Sequence, residues 1–324
     1  MKALVTGATG FVGGHLVDRL LARGDEVTAL VRAPAKATDF AERGVRLVRG
    51  DLGDHGALAE AVSGQDVIYH SAALTGAVDE AEFLAANRDG TANIIRAARD
   101  AGTTPRFVLV SSMAAGGPAD RGQPRTADGR DAPVTMYGRS KLAGELVLRD
   151  ESLPWVIVRP PTVYGPRDRD NLITVFKAAR FGIAPVFGDG SMEISVVHVE
   201  DLADAIVLAG TTEGIAGRTY YVNHPEVVSS ADLVRGIGRM MGRDVALVPI
   251  PEWAARVALS ATGAWAAALQ RKTILRADKA NEFFQAAWTG DPAPFMRDTG
   301  WAPRYDLARG LAHTHAWYRD AGWL

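Results

Sequence analysis

TGATGFVGG, residues 6–14, stands between an apolar run over residues 2–6 and a helical pattern over residues 11–23. Its Gly7, Gly10 and Gly13 let the backbone turn sharply and approach a pyrophosphate, whose charge the helix N-terminal amides would meet. A tight turn without any ligand can have the same spacing, but the strand before it and the helix after it favour a dinucleotide site. The residues expected at that site are Gly7, Thr9, Gly10, Phe11, Val12 and Gly13.

Alternating strand and helix patterns extend from this turn through the first half of the chain. The pattern predicts strands at 2–6, 26–31, 45–48, 66–70, 106–111 and 155–158, and helices at 11–23, 56–63, 80–100 and 136–150. Such alternation predicts an α/β fold, a Rossmann-type doubly wound parallel sheet whose ligands bind beyond the carboxyl ends of the strands.

A looser pattern follows residue 165, with helices predicted near 171–180, 200–210, 230–241, 252–270 and 306–320. We therefore expect an NAD(P)-binding Rossmann domain over residues 1–165, completed by segments within 196–225. A smaller C-terminal substrate lobe would take residues 166–195 and 226–324. Residues 113–134 have no periodicity and are rich in Gly, Pro and Asp, which is typical of a functional loop.

Composition limits the classes of partner. The chain has 324 residues, 47% of them hydrophobic, and a formal net charge of -2 with both signs mixed along its length. No single-sign field would attract nucleic acid or an anionic membrane, so a small-molecule substrate is expected. A second copy in a homodimer is left open.

Cysteine is absent, which excludes disulfides, thiolate metal sites and a cysteine nucleophile, and the N-terminus has no signal-peptide pattern. These features predict a cytoplasmic protein. Residues 257–270, VALSATGAWAAALQ, carry no charge but are fewer than the ~20 residues needed to span a bilayer. They predict a buried or pocket-lining helix, and the lack of a basic face disfavours a role at a membrane surface.

Two basic residues follow the second predicted strand. Arg32 lies where a carboxylate would bind the ribose hydroxyls of NAD, and Lys36 is four residues further on. Cations at this place suit a 2′-phosphate, so NADP is expected and NAD is the alternative. A solvated basic turn that binds no ligand is the other interpretation of these two residues.

The third predicted strand is followed by Asp51 and Leu52, which are placed to contact the adenine. A helix-capping role for Asp51 or for Asp54 is an equal alternative.

Tyr137 and Lys141, in YGRSK, open the helix after the long loop, and their i, i+4 spacing puts both side chains on one face. A phenol with a pKa near ~10 needs a neighbouring cation to act as an acid or base at neutral pH. Ser111 and Ser112 end the fifth strand, where a hydroxyl could orient a substrate oxygen, although at least one of them should only cap a turn. Asn87, in NRDGT, has two interpretations: it kinks the helix and holds a water for proton relay, or it is a plain surface residue.

Six ordered motifs over roughly residues 1–210 resemble the extended short-chain dehydrogenase/reductase superfamily, the NAD-dependent epimerase/dehydratase-like proteins: TGATGFVGG, HSAA at 70–73, NRDGT, VSSMAA, YGRSK and RPPTVYGP at 159–166. The resemblance implies a Rossmann fold with a Ser-Tyr-Lys triad, which maps here onto Ser112, Tyr137 and Lys141. It also implies cofactor contacts from Ala72, Ala73, Asn87, Ser111, Tyr137, Lys141, Pro160, Thr162 and Val163. In the sugar-nucleotide branch the hydroxyl often falls at the position of Met113, whereas Ser112 matches the 3β-hydroxysteroid dehydrogenase-like branch.

The substrate branch is indicated by two departures. Sugar-nucleotide members commonly have an Asn and an Arg for the diphosphate where this chain has Thr162 and Ile194. The resemblance is therefore nearest to the 3β-hydroxysteroid dehydrogenase-like and dihydroflavonol reductase-like branches, and implies hydride transfer to or from a secondary alcohol or ketone on a bulky, largely apolar substrate (steroid-, terpenoid- or flavonoid-like). Residues expected around an apolar pocket are Met113, Pro161, Ile194, Val196, Trp253 and Trp265.

Two other functions stay open: an NAD-dependent sugar-nucleotide epimerase or dehydratase, and a non-catalytic NAD(P)-binding sensor. No metal is expected. His198 has no second His or acid at ligand spacing, which predicts a packing role, and neither His313 nor His315 changes that interpretation.

Overall fold

A computed structural model describes residues 1–269, 273 and 277–324. The strands are β1 Lys2–Thr6, β2 Glu26–Val31, β3 Arg46–Arg49, β4 Val67–His70, β5 Arg106–Val110, β6 Trp155–Arg159, β7 Thr162–Tyr164, β8 Ile183–Phe187, β9 Glu193–His198, β10 Arg218–Tyr221, β11 Val227–Ser229, β12 Ala246–Ile250 and β13 Ala287–Trp288. The helices are α1 Phe11–Ala22, α2 Thr38–Glu42, α3 His55–Val62, α4 Glu80–Leu84, α5 Gly90–Asp100, α6 Met113–Gly116, α7 Met136–Arg149, α8 Leu172–Ala179, α9 Val199–Thr211, α10 Ser230–Met240, α11 Glu252–Ala268, α12 Ala280–Phe283, α13 Ala293–Thr299 and α14 Leu307–Asp320.

A parallel sheet of seven strands, in the order β10-β6-β5-β4-β1-β2-β3, forms the centre. One face is covered by apolar side chains of α1 and α9, and the other by those of α3, α5 and α7. Strands buried on both faces are rich in Val, Ile and Leu, because neither face meets water. The doubly wound Rossmann-type sheet expected from the sequence is confirmed.

The predicted strands of the first half are present within one or two residues, but the helix predicted over 80–100 is not continuous. A π-helical segment, Ala85–Asp89, separates α4 from α5. The second half contains seven strands that the sequence analysis did not predict. Most are short and lie outside the main sheet, so their local apolar pattern is weak.

The C-terminal half also builds smaller sheets beside the main one. β9 pairs with β7, β11 and β13, and β8 pairs with β12. The aperiodic loop 113–134 is tied to this half by bridges from Ala119 to Ala287 and from Arg125 to Gly290. These pairings hold the loop against the C-terminal half of the chain just after the end of β5.

The buried or pocket-lining helix predicted over 257–270 differs from what is observed. α11 buries Ala255 and Leu259 on one side, but Trp265 is 62% exposed and Trp253 is 72% exposed. The apolar residues of this helix occupy more of its circumference than the neighbouring elements cover. Within the described part of the chain, no helix has the length and apolar character to cross a membrane.

Phe295 gives a test of the main core. Its ring is fully buried and contacts the rings of Tyr220 and Trp301 edge-on. We expect Phe295→Ala to lower the free energy of unfolding by ~3–5 kcal/mol, because the change removes buried apolar surface and leaves a cavity. Urea unfolding measures it, with Phe181→Ala as the control, because the Phe181 side chain is 75% exposed. If Phe295→Ala lowers the free energy of unfolding by less than Phe181→Ala does, α13 contributes little to the core.

Candidate active site

Close backbone packing fixes the glycine-rich turn. Gly7 has φ +74°, and a Cβ there would lie 2.7 Å from the backbone nitrogen of Ala72. A Cβ on Gly13 would lie 2.1 Å from the carbonyl oxygen of Gly7. Both glycines are therefore required for strand β1, the loop after β4 and helix α1 to meet this closely.

The same turn leaves room for a cofactor. Thr9 and Gly10 are exposed, no side chain caps the amides of α1, and its first turn has no acidic residue. Phe11 and Val12 are partly buried against the core under the sheet. Free amides at the start of a helix beside an exposed glycine fit the pyrophosphate of a dinucleotide.

Arg32 and Lys36 follow the carboxyl end of β2. Both are exposed, and neither forms an ion pair with another described residue. Asp51 is exposed and accepts a hydrogen bond from the Gly53 amide at 2.8 Å. The capping role that the sequence left open belongs to Asp54, which accepts from Ala57 N at the start of α3. Asp51 thus remains beside the ends of β2 and β3 with an unused carboxylate oxygen.

Tyr137 and Ser112 come together from α7 and the end of β5. Burial raises the pKa of Tyr137 to about 12, a side-chain hydrogen bond with Ser112 opposes the rise, and Glu282 adds to it. Tyr137 therefore holds its proton at neutral pH.

Lys141 is buried one turn further along α7. Its Nζ donates a hydrogen bond to the Val110 carbonyl oxygen at 2.9 Å, and only 4% of the residue is exposed. Burial lowers the pKa of Lys141 to about 8, while Glu145 raises it. The ammonium thus points at the end of β5, beside Ser111 and Ser112.

Ser111 and Ser112 have different partners. Ser112 caps the short helix α6, where its hydroxyl oxygen accepts from Ala114 N at 3.2 Å. Ser111 donates to the buried carboxylate of Glu145. The Ser111 hydroxyl is thereby engaged by Glu145, whereas the Ser112 hydroxyl is the one of the two that hydrogen-bonds with Tyr137.

The sequence analysis missed a buried ion pair behind these serines. Arg159, at the end of β6, places Nε and Nη2 at 2.9 and 2.6 Å from the two carboxylate oxygens of Glu145 on α7. Asp131 and Arg149 extend the network, and both Glu145 and Arg159 are fully buried. Glu145 is eight residues after Tyr137, so the pair fixes the rotation of the helix that carries Tyr137 and Lys141. The Arg in RPPTVYGP and an acidic residue inside a helix were the only sequence signals for it.

A polar chain crosses from β1 to the π-helical segment. His70 contacts Thr6 Oγ1 through Nδ1 at 2.7 Å and Thr91 Oγ1 through Nε2 at 3.2 Å, and Thr91 donates to the Asn87 carbonyl. Burial, and secondarily Lys141, lower the pKa of His70 to about 3, so this ring is neutral. The chain connects the core of the sheet to the residues around Asn87.

Asn87 is buried, so the surface role left open for it is wrong. Its Nδ2 donates to the Leu74 carbonyl and to Ser140 Oγ, and its Oδ1 accepts from Leu74 N. The predicted break in the helix is present, but both side-chain donors are used by protein groups. Asn87 therefore joins the loop after β4 to α7 directly.

The remaining predicted cofactor contacts lie at two strand ends. Ala72 and Ala73 follow β4, with the Ala72 amide donating to Thr6 Oγ1 at 3.2 Å. The Pro160 carbonyl oxygen accepts a hydrogen bond from Met113 N at 2.8 Å. Thr162 is exposed, whereas Val163 is only 8% exposed and packs in the main core. All of them line the carboxyl edge of the sheet, although Val163 offers this edge only its backbone.

Residues of the C-terminal half reach back to the start of α7. Asp278 accepts a hydrogen bond from the Met136 amide at 2.9 Å, and Glu282 accepts one from the Thr135 hydroxyl at 3.0 Å. Thr135 in turn caps α7 through the Gly138 amide. The segment 277–284 thus holds the first turn of the helix on which Tyr137 lies.

The expected apolar pocket is not formed as predicted. Ile194 and Val196 belong to a hydrophobic core shared with α8, α10 and α14, Met113 is 3% exposed within α6, and the two tryptophans are at the surface. A cavity of about 630 Å³ lies between the loop 113–134 and residues of the C-terminal half, and Ser112, Tyr137 and Lys141 are not among the residues that line it. Its lining includes Asp189, Glu193 and Asp232, and its arginine, Arg235, is paired with Asp232 at 3.3 Å.

The prediction that no second ligand group accompanies His198 is wrong. Nε2 of His198 lies 3.3 Å from Nδ1 of His313, and Glu200 is close enough for the three ligand atoms to lie within 4.8 Å. His313 is on α14, so sequence spacing could not reveal it. Burial lowers the pKa of His198 to about 3, Tyr305 stacks on its ring, and Arg304 lies 3.7 Å from Glu200. These neighbours satisfy the three groups, and the Arg304 charge opposes a divalent cation.

The buried Lys141 predicts a pH dependence. Between about pH 8, its folded pKa, and 10.5, its ordinary value, the unfolded chain holds a proton that the folded chain has released. The free energy of unfolding should therefore rise with pH across this window, by up to ~3 kcal/mol from this group. Urea unfolding of the parent and of Lys141→Met, compared at both ends of the window, isolates the contribution. If the difference in unfolding free energy between the parent and Lys141→Met is the same at both ends of the window, Lys141 keeps its charge in the folded protein.

Comparison with known proteins assigns the family. The model of the NAD dependent epimerase/dehydratase family matches residues 3–222. The chain is 33% identical over 320 residues to the ceramide reductase of Caulobacter vibrioides, a match covering 99% of this chain and 95% of that one. It is 31% identical over 254 residues to the 2-alkyl-3-oxoalkanoate reductase of Stenotrophomonas maltophilia, covering 75% and 76%.

The fold is also that of a solved protein that binds a nicotinamide cofactor. The structure of MoeE5 in complex with UDP-glucose and NAD superposes with a TM-score of 0.80 at 25% identity, over 99% of each chain. Together with the glycine turn and the Ser112, Tyr137 and Lys141 cluster, these matches show that the chain belongs to the NAD dependent epimerase/dehydratase family of extended short-chain dehydrogenases/reductases and is an NAD(P)-dependent oxidoreductase.

Proposed function

We propose that this protein reduces the ketone of a large, lipid-like substrate to a secondary alcohol with NADPH. Residues 166–195 and 226–324 would form the substrate lobe. The choice against a sugar nucleotide is carried by Thr162 and Ile194, which stand where sugar-nucleotide members commonly have an Asn and an Arg for the diphosphate. Charged hydrogen bonds to a diphosphate contribute ~1.5–3 kcal/mol each where partners exist, and neither Thr162 nor Ile194 carries a charge to form one.

The chemistry follows from the protonated Tyr137. When bound, the reduced nicotinamide supplies the hydride that adds to the carbonyl carbon. Tyr137 donates its phenolic proton to the carbonyl oxygen, and the Ser112 hydroxyl donates a hydrogen bond to the same oxygen. Lys141, at the end of β5, would hold the nicotinamide ribose and compensate the charge left on Tyr137.

Two relatives support the substrate class. Ceramide reductase and 2-alkyl-3-oxoalkanoate reductase are both named for reduction of molecules with alkyl or acyl chains, and the former matches nearly the whole chain, including the lobe. A long chain beside a ketone has no charged group that requires the missing anchors at Thr162 and Ile194. We therefore favour an acyl-chain lipid over a steroid or a flavonoid as the substrate.

NADPH is proposed because of Arg32. Both Arg32 and Lys36 are exposed cations without a partner among the described residues, at the edge where the adenosine ribose would lie. A 2′-phosphate would form charge-assisted hydrogen bonds there. The contacts proposed for the rest of the cofactor are the backbone of residues 7–13, Asp51, Leu52, Ala72, Ala73 and the ends of β5 and β6.

The first test measures net reduction. We expect ketones with long alkyl chains to consume NADPH, and UDP-glucose neither to bind at micromolar concentration nor to be epimerised. Tyr137→Phe should lower turnover by ~10²–10⁴-fold with cofactor affinity retained, because the proton donor is removed. Nicotinamide absorbance and calorimetry give both quantities.

Ser112→Ala and Ser111→Ala are the matched pair for this test. Turnover should fall by ~10²-fold in Ser112→Ala through loss of the hydrogen bond to the oxyanion, and much less in Ser111→Ala. Full activity in Ser112→Ala, or epimerisation of UDP-glucose without net consumption of cofactor, would favour the epimerase instead. If the parent protein binds the cofactor but reduces none of the ketones, the non-catalytic NAD(P)-binding sensor would be favoured.

Arg32→Asp tests the cofactor preference. We expect the parent to bind NADPH more tightly than NADH, and the variant to reverse the order, because a carboxylate repels the 2′-phosphate and binds the ribose hydroxyls. Calorimetry with both cofactors measures the ratio. Thr38→Asp, a change at an exposed position on α2, serves as the charge control. Equal affinities in the parent would rule out the preference.

A further inference from the structure

Lys141 and Glu145 are neighbours on α7, and both are buried. They are four residues apart, so their side chains lie on one face of the helix, with Lys141 4% exposed and Glu145 0% exposed. Lys141 Nζ donates to the Val110 carbonyl oxygen at 2.9 Å. The next residue, Ser111, donates its hydroxyl to Glu145. The ammonium and the carboxylate therefore bind the end of β5 at consecutive residues.

The carboxylate of Glu145 is held from three sides. Its Oε1 accepts from Ser111 Oγ and from Arg159 Nε, and its Oε2 accepts from Nη2 of Arg159 and Nη2 of Arg149. Asp131 pairs with both arginines, at 2.8 Å from Arg159 and 3.3 Å from Arg149. The carboxylate cannot turn without losing charge-assisted hydrogen bonds, so its position on the helix face is fixed.

Among the groups around Lys141, Glu145 is the one whose charge opposes the effect of burial. Burial lowers the pKa of Lys141, and Glu145 raises it. His70 on β4 is close enough for Lys141 to act on it, but burial lowers the pKa of this ring to about 3, so the ring is neutral. Burial raises the pKa of Tyr137 on α7 to about 12, so the phenol is neutral as well. The charge of Lys141 near neutral pH therefore depends on Glu145.

Two arginines reduce the negative charge that Glu145 presents to Lys141. The side chain of Arg159, at the end of β6, is fully buried, whereas that of Arg149, at the end of α7, is 27% exposed. Loss of the Glu145 charge would leave Lys141 near two cations. Loss of the Arg149 charge would instead leave more of the carboxylate's charge uncompensated. The two changes therefore affect the charge of Lys141 in opposite directions.

We propose that Glu145 is a positioning residue that keeps Lys141 in its charged form at neutral pH and so sets the pH range over which the cofactor binds. This role rests on the proposed function, in which Lys141 holds the nicotinamide ribose. A neutral amine would still donate to a ribose hydroxyl, but its hydrogen bond would lack the assistance of a charge. It also could not compensate the charge left on Tyr137 after proton donation.

Urea unfolding of the full chain measures the charge of Lys141 without a cofactor. In the parent, the free energy of unfolding should begin to rise near pH 8, where folded Lys141 loses a proton that the unfolded chain keeps. Glu145→Gln, which retains the size and one acceptor oxygen, should move the start of this rise to lower pH by ~1 unit or more. Arg149→Gln should move it to higher pH. Each protein is compared with its Lys141→Met derivative, which lacks this rise.

Glu151→Gln is the matched control for the removal of a carboxylate. Glu151 follows α7 and pairs with Arg99 at 3.9 Å, away from the network of Glu145. The pH at which the rise begins should be unchanged in this variant. If Glu145→Gln does not fold, Arg149→Gln decides alone, because Arg149 is partly exposed and its replacement leaves Arg159 on the carboxylate.

Calorimetry with NADPH connects the charge of Lys141 to the cofactor. The affinity of the parent should fall by ~10-fold between ~pH 7 and ~9.5, as Lys141 loses its proton. The midpoint of this fall should move to lower pH in Glu145→Gln and to higher pH in Arg149→Gln. A merely structural role of Glu145 would weaken binding equally at every pH and would leave the midpoint where it is.

Three results would overturn the proposal. They are a rise in unfolding free energy that begins at the same pH in the parent, Glu145→Gln and Arg149→Gln, a shift in the same direction in both variants, and an equal shift in Glu151→Gln. If the unfolding curves shift as expected but the NADPH affinity does not follow them, the role of Lys141 in the proposed function is wrong. The control of the Lys141 charge by Glu145 then stands.

Discussion

The arrangement of the active site depends on the buried ion pair between Glu145 and Arg159. Two fully buried charges are costly to desolvate, and here the cost is offset by bidentate geometry and by partners for the remaining oxygens and nitrogens. The partners come from Ser111 at the end of β5 and from Tyr221 on β10. Strands β5, β6 and β10 and helix α7 therefore meet in one position, because removal of either charge would leave the other buried without compensation.

This constraint explains how candidate catalytic groups from distant parts of the sequence acquire a fixed geometry. Glu145 lies two turns after Tyr137, so fixing Glu145 fixes the face that α7 presents to the end of β5. Asn87 and the segment 277–284 hold the first half of the same helix from two other sides. The phenol of Tyr137 is thereby kept beside Ser112, and burial raises its pKa so that it holds its proton at neutral pH.

The sequence predicted those parts whose signals are local. The glycine turn, the strands of the first half, Tyr137 and Lys141 at i, i+4, and the helix break at Asn87 all follow from short-range spacing or chain punctuation. The partners of buried charges were not predicted, because Glu145 and Arg159 are fourteen residues apart on different elements and nothing local indicates which groups desolvate together. His313 beside His198 was missed for the same reason, because the two are 115 positions apart in the sequence.

The sequence by itself determined the Rossmann-type sheet, the family and the positions of the cofactor turn, because hydrophobic period, glycine spacing and ordered motifs are properties of contiguous residues. Tertiary structure decided which serine faces Tyr137, which aspartate caps α3, and whether α11 is buried. A helix with apolar residues around most of its circumference has the same pattern whether it is covered or exposed. Only the packing of α11 on its Ala255 and Leu259 side shows that Trp253 and Trp265 remain outside.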